Sequence, residues 1–196
     1  MKKIITALAA ISTIALASGE GEINVNNTDL EIGFKFDVNQ VMSDEMGYDR
    51  TNQFGIKFIK AEQDANNNPD GYDPDYYAEL NYLMMQDIGE DGLRAGIGAK
   101  LNYTKEFASV PFGLEAEYEL RKIPNLPVKF GAAVYYAPQV LTFDDGESYL
   151  ETRATMAFQL IQDAQLVVGY RNIQTNLQTM DIKYNEAGYF GVRMKF

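Results

Sequence analysis

The sequence predicts an all-β protein, a transmembrane antiparallel up-and-down β-barrel of about ten strands, with eight as the alternative. Three observations carry this. Nearly every segment after residue 19 alternates apolar and polar side chains with a period of two, as a strand with one oily and one wet face must. No comparable run has the spacing of an amphipathic helix. Beyond the amino end no apolar stretch approaches the roughly 18 residues of a helical membrane span. Yet 46% of the 196 residues are hydrophobic, and alternating strands hide membrane-spanning surface from a hydropathy average.

At the amino end, Lys2 and Lys3 precede an uncharged run from Ile4 to Ala17 that closes in small residues. This reads as a secretory signal peptide over residues 1–19, cleaved after Ala17 or after Gly19, and too short for a spanning helix. No Cys follows the small residues, so a lipoprotein anchor is not supported. Residues 20–196 then form one barrel domain.

The first strand is the short Glu22-Ile23-Asn24-Val25, which brings an otherwise odd count to ten. Next, Leu30, Ile32, Phe34, Phe36 and Val38 oppose Asp29, Glu31, Gly33, Lys35 and Asp37. Phe54, Ile56 and Phe58 oppose Gly55 and Lys57, and Tyr76, Ala78, Leu80, Tyr82 and Met84 oppose Tyr77, Glu79 and Asn81. Leu93, Ala95, Ile97, Ala99, Leu101 and Tyr103 oppose Arg94, Gly96, Gly98, Lys100 and Asn102. Phe112, Leu114, Ala116, Tyr118 and Leu120 oppose Gly113, Glu115, Glu117, Glu119 and Arg121. Val128, Phe130, Ala132, Val134 and Tyr136 oppose Lys129, Gly131, Ala133 and Tyr135. Leu150, Ala154, Met156, Phe158 and Leu160 oppose Glu151, Arg153, Thr155 and Gln159, and Leu166, Val168 and Tyr170 oppose Val167, Gly169 and Arg171. In the last strand Phe190, Val192, Met194 and Phe196 oppose Gly191, Arg193 and Lys195.

Outer connections then fall near 26–29, 62–75, 104–111, 142–148 and 177–187, and inner ones near 39–52, 86–92, 122–127 and 162–164. Inner turns should be the shorter set, and only 39–52 breaks that rule.

A Phe closing such a strand resembles the C-terminal signal by which bacterial outer-membrane barrels are recognised for insertion. Phe190, Val192, Met194 and Phe196 are therefore the expected insertion signal, with the barrel-assembly machinery as partner and the outer membrane of a Gram-negative cell as destination. Outer-membrane lipid and lipopolysaccharide would surround the apolar parity. The stretches Tyr135-Tyr136-Ala137-Pro138, Leu141-Thr142-Phe143, Tyr149-Leu150-Glu151, Val168-Gly169-Tyr170-Arg171-Asn172-Ile173 and Tyr189-Phe190-Gly191-Val192-Arg193-Met194-Lys195-Phe196 resemble the YfaZ family of outer-membrane proteins. The likeness covers roughly residues 127–196; upstream only the strand order and signal peptide are similar, and 62–75 is a longer insertion. It implies a small outer-membrane barrel and no activity that transfers.

Composition removes several functions. The chain has no Cys and no His, so thiolate chemistry, imidazole triads and His-ligated metals are excluded, and no cofactor is implied. Without residues 1–19, which carry two lysines, the formal charge moves from −11 to −13, unsuited to nucleic acid.

On this parity Glu22, Asp29, Glu31, Asp37, Glu79, Glu115, Glu117, Glu119 and Glu151 face inward with Lys35, Lys57, Arg94, Lys100, Arg121, Lys129, Arg153, Arg171, Arg193 and Lys195. The favoured reading is a ladder of ion pairs that fills a narrow lumen, because an unpaired buried charge costs several kcal/mol. The alternative is a small porin-like channel kept open by Gly33, Gly55, Gly96, Gly98, Gly113, Gly131, Gly169 and Gly191. Glu115, Glu117 and Glu119 are expected to face Arg and Lys across the sheet rather than to perform carboxylate catalysis, so the chain reads as no enzyme.

The loop holding Asn66, Asn68, Asp70, Gly71, Asp73 and Asp75 matches part of a calcium-loop spacing, but Asn replaces the first Asp and Tyr77 stands where a bidentate Glu is needed. It reads as a solvated turn cluster, with weak divalent-cation binding at the cell surface as the functional alternative, aided by Asp144, Asp145 and Glu147. A soluble periplasmic β-barrel binding protein would place the apolar parity inward. Tyr76, Tyr103, Tyr136 and Tyr149 near strand ends instead suggest an outer aromatic girdle.

Overall fold

The computed structural model describes residues 19–26, 29–38, 50–61, 76–89, 91–105, 107–120, 127–177 and 181–196. They form β1 (Gly19–Val25), β2 (Asp29–Asp37), β3 (Arg50–Ala61), β4 (Tyr76–Ile88), β5 (Leu93–Tyr103), β6 (Phe107–Ser109), β7 (Phe112–Glu119), β8 (Val128–Ala137), β9 (Thr142–Asp144), β10 (Gly146–Ile161), β11 (Ala164–Leu177) and β12 (Asp181–Lys195). A 3-10 turn at Gln139–Leu141 joins β8 to β9. β6 and β7 follow one another along β5, and β9 and β8 pair with them in turn, so the segments make ten staves of an antiparallel, up-and-down barrel. Closure comes from β1 pairing with β12 and β4 with β5. A closed ring leaves no unpaired edge strand.

Backbone at the seam is drawn tight. Gly19 N–H donates to Phe196 O at 2.9 Å and Phe196 N–H to Gly19 O at 3.1 Å. A Cβ on Gly19 would stand 2.9 Å from the Lys35 carbonyl oxygen and 3.0 Å from the Phe196 ring, so glycine is what lets the ends meet. Turn chemistry fixes neighbouring registers. Asn26 Oδ1 accepts the Asp29 N–H at 2.6 Å between β1 and β2, and Gly89 and Gly92 supply the positive φ angles of 68° and 85° between β4 and β5.

A bulge in β12 changes which residues point in. Ile173 pairs with Asn185 and Gln174 with Lys183, which leaves Tyr184 as the extra residue. Ile182 and Tyr184 therefore point inward above the bulge, and Asn185, Tyr189, Gly191 and Arg193 below it.

Several connections differ from expectation. Residues 181–187 belong to β12, because the bulge breaks the alternation that marks a strand. Residues 107–109 are β6, and 142–148 hold β9 and the start of β10. β3 begins at Arg50, where the polar run Arg50-Thr51-Asn52-Gln53 hides the pattern. Residues 39–49 and 62–75 lie outside the described residues.

The apolar parity faces out. Ile97 is 57% and Leu114 60% exposed, and Phe54, Ile56, Leu80, Phe112, Val168 and Phe190 are exposed beside them. The charged parity faces in, which overturns the arrangement a soluble barrel would need. Phe58, Tyr76 and Tyr103 form an aromatic group on the outer wall, with ring centroids 6.4 Å apart at each step. Tyr149, expected beside them, is fully buried inside, because it shares the parity of Glu151.

Candidate functional site

The interior is the place where this fold concentrates chemistry, and it is layered along the barrel axis. At the end away from the termini, Ile59, Phe107, Ile173, Ile182 and Tyr184 form an apolar and aromatic core. Phe107 lies 6.0 Å from Tyr149 and 5.3 Å from Tyr184 between ring centroids, and the Tyr184 hydroxyl is 3.1 Å from Thr104 Oγ1. These rings cap the lumen.

Below the cap, charges bridge the lumen. Glu79 on β4 and Glu151 on β10 share Lys100, whose Nζ is 3.3 Å from one and 2.6 Å from the other, and Lys57 stands 3.2 Å and 3.8 Å from the same pair. The hydroxyls of Tyr77 and Tyr149 meet at 2.7 Å across the barrel and each also reaches a carboxylate, Glu79 at 3.1 Å and Glu151 at 3.0 Å. Lys100 lies over the Tyr135 ring, 3.9 Å from its centroid.

A second bridge centres on Glu31. Arg153 donates to it through Nη1 at 3.0 Å and Nη2 at 2.8 Å, Arg171 donates to the same carboxylate, and Asn24 adds a bond of 2.7 Å. Arg171 also holds Asp29 at 2.9 Å, and Asn185 joins the two by accepting from Arg171 and donating to Asp29. Arg153 and Arg171 are direct cross-strand partners, and two like charges so placed repel unless an anion lies between them.

Nearer the termini the pairs are local and wetter. Arg193 holds Glu20 at 3.2 Å and Glu22 at 2.7 Å, and Arg94 holds Asp87 at 2.8 Å and reaches Glu117 at 3.6 Å. Glu115 accepts the Tyr135 hydroxyl at 2.7 Å, and Glu119 lies opposite Lys129 in register. Lys35 lines a cavity of about 80 Å³ in this half of the lumen. Lys195 sits exposed at the end of β12, Asp37 is half-buried at the end of β2, and Arg121 lies outside the described residues.

Most of the inward glycines are met by side chains of a neighbouring stave. A Cβ on Gly98 would lie 2.3 Å from the Tyr135 hydroxyl and one on Gly113 2.5 Å from the same ring. Gly169 accommodates Tyr189, Gly191 accommodates Asn24, Gly55 accommodates Asn81 and Gly96 accommodates Met85. Large inward side chains occupy the space that small ones on the neighbouring stave vacate. Gly33 and Gly131 border the cavity instead.

Sequence reasoning missed the inward tyrosines as partners of the charges, together with Asn24, Asn185, Glu20 and Asp87. One signal was present: Tyr77 and Tyr149 each precede a lumen glutamate by two residues, so the alternation that points Glu79 and Glu151 inward points the rings inward too. Of the loop residues weighed for a cation, Asn66, Asn68, Asp70, Asp73 and Asp75 lie outside the described residues. Asp144, Asp145 and Glu147 are exposed in and beside the β9–β10 turn.

A family model described as "YfaZ precursor" matches residues 1–196, the whole chain. No curated protein matches. Among solved structures, a chain described under "Unveiling the Mechanism Behind the in-meso Crystallization of Membrane Proteins" is similar at 10% identity and a TM-score of 0.41, over 91% of this chain and 83% of that one.

Proposed function

The chain belongs to the YfaZ family, and from that premise we propose that it is an integral outer-membrane β-barrel of a Gram-negative cell, without enzymatic activity and with its lumen closed by ion pairs. The observation that carries this reading is the sidedness of the closed barrel, apolar outside and charged inside. Outward residues of β5 run unbroken from Leu93 to Tyr103. At about 3.3 Å per residue and a strand tilt of about 40°, such a run covers roughly 25 Å, the height of an outer-membrane apolar band. Burying such a face in lipid removes the cost of leaving it in water.

Outer-membrane lipid and lipopolysaccharide are the partners this surface fits. Phe190, Val192, Met194 and Phe196 form the stretch offered to the barrel-assembly machinery. Residues 1–19 serve export, and cleavage after Ala17 fits better than cleavage after Gly19, because Gly19 bonds to Phe196 at the seam. Weak divalent-cation binding at the acidic surface loops stays a minor part of this reading.

The cavity favours a second reading, a porin-like channel for ions or small solutes. Planar-bilayer recording of the refolded protein, with heat-modifiable gel mobility as the check on folding, separates the two. Conductance near baseline is expected, and discrete steps whose selectivity shifts in Glu117→Gln would refute the closed lumen. Solubility without detergent would overturn the membrane assignment itself.

A further inference from the structure

We propose that the outer wall of β3–β5, at the end of the barrel away from the termini, holds one lipopolysaccharide by its phosphates, through Lys60 and Lys105 on either side of Tyr76. The choice of an outer-leaflet lipid rests on the outer-membrane reading above; the site itself rests on strand register and charge.

On β3 the outward residues Phe54, Ile56 and Phe58 are followed on the same parity by Lys60, which is exposed. On β5 the outward run ends at Tyr103, and Lys105, exposed in the turn that follows, stands two residues beyond it. β4 lies between them. Its Tyr76 pairs directly with Lys60, and Ala78 pairs with Tyr103, so the same register carried past Tyr103 brings Lys105 level with Tyr76. Two strand spacings place the lysines about 10 Å apart at the backbone, within reach of one headgroup on their long flexible stems. Phe58, Tyr76 and Tyr103 form the aromatic group at this level, and tyrosines mark the boundary between hydrocarbon and headgroups. The first charge beyond that boundary lies at the depth of lipid phosphate.

Charge complementarity selects the occupant. Among the described residues neither lysine has an ion-pair partner, and the cross-strand neighbours of Lys60, Leu30 and Tyr76, are uncharged. The bridging bases of the lumen, Lys57, Lys100, Arg153 and Arg171, are each held by carboxylates. Further round the outer wall, the first outward charge on β12 beyond Phe190 is Glu186, which pairs with Lys183 at 2.5 Å and accepts the Tyr170 hydroxyl at 3.2 Å. That wall presents a committed cation, whereas β3–β5 presents two uncommitted ones. Two separated ammonium groups match a headgroup with two phosphates better than a phospholipid with one. The neighbouring acids along the chain, Glu106 and those of residues 62–75, lie outside the described residues. A carboxylate holds phosphate only through a bridging divalent cation, so removing such cations separates that case from this one.

The test is native mass spectrometry of the full chain, refolded in nonionic detergent with EDTA and titrated with diphosphoryl lipid A, with phosphatidylglycerol and dephosphorylated lipid A as controls. One lipid A per barrel is expected, bound more tightly than either control. Affinity should fall about fivefold in Lys60→Gln or Lys105→Gln and about twenty-five-fold in the two together, the worth of one basic side chain at an anionic membrane surface taken once and twice. Lys183→Gln, which removes a lysine already paired with Glu186, should leave it unchanged. Equal affinity for either control, wild-type affinity in the double variant, or binding that requires a divalent cation overturns the site. Detergent-dependent solubility and heat-modifiable mobility of the same samples report separately on the membrane barrel, so a folded barrel that takes no lipid A refutes this proposal alone.

Discussion

Replacing Glu31 with Gln changes almost nothing in size and removes the anion that holds two guanidinium groups together. Glu31 lies between Arg153 and Arg171, which stand directly opposite one another on β10 and β11. In the variant, Arg171 keeps Asp29 at 2.9 Å, whereas Arg153 keeps only Glu151, at 3.8 Å. Breaking a buried pair by neutralising one partner costs about 3–5 kcal/mol, and the residual exposure of Arg153 places the expected loss at the lower end. Removing the surplus charge as well should reverse much of it: Glu31→Gln with Arg153→Met is expected to recover about 2 kcal/mol, because a whole ion pair replaced by neutral groups is often close to neutral in stability. The measurement is equilibrium urea unfolding in detergent or vesicles followed by far-UV circular dichroism, since the chain has no Trp to report by fluorescence. A single variant within about 1 kcal/mol of wild type, or a double variant no more stable than the single one, would refute the claim that Glu31 bridges the two arginines.

Three further outcomes follow from the same geometry. Ile97→Arg, on the exposed outer wall, should cost about 2–4 kcal/mol in lipid vesicles if Ile97 lies near the bilayer midplane; no loss would remove the lipid from that face. Gly98→Ala is expected to be costly, not mild, because its Cβ would force the Tyr135 ring away from Glu115 and Lys100. It should lose about 2 kcal/mol, yet lose little when Tyr135→Ala is already present, and strictly additive unfolding energies would contradict the packing of this ring against the glycine. Mass spectrometry of the mature protein should find Ser18 as its first residue, with Gly19 retained to meet Phe196; a chain starting at Glu20 would show the seam closing without that contact.

By itself the sequence determined that this protein is a β-barrel and which face of most strands is charged, because a period-two pattern is written locally into each strand and needs no knowledge of its neighbours. Leu93 to Tyr103 and Phe112 to Glu119 show this most clearly, with every outward and inward residue placed as the alternation demands. Where the alternation falters, legibility stops: the bulge at Tyr184 concealed the upper part of β12, and the polar start of β3 passed for a loop. Only the tertiary structure decided what the inward residues meet. Arg153 finds Glu31 across 122 residues of chain, and Tyr77 finds Tyr149 across 72, pairings set by barrel closure and by strand register. The same closure seats Tyr135 against Gly98 and Gly113 and Tyr189 against Gly169, since whether a missing side chain leaves a void depends on what the neighbouring stave projects into it.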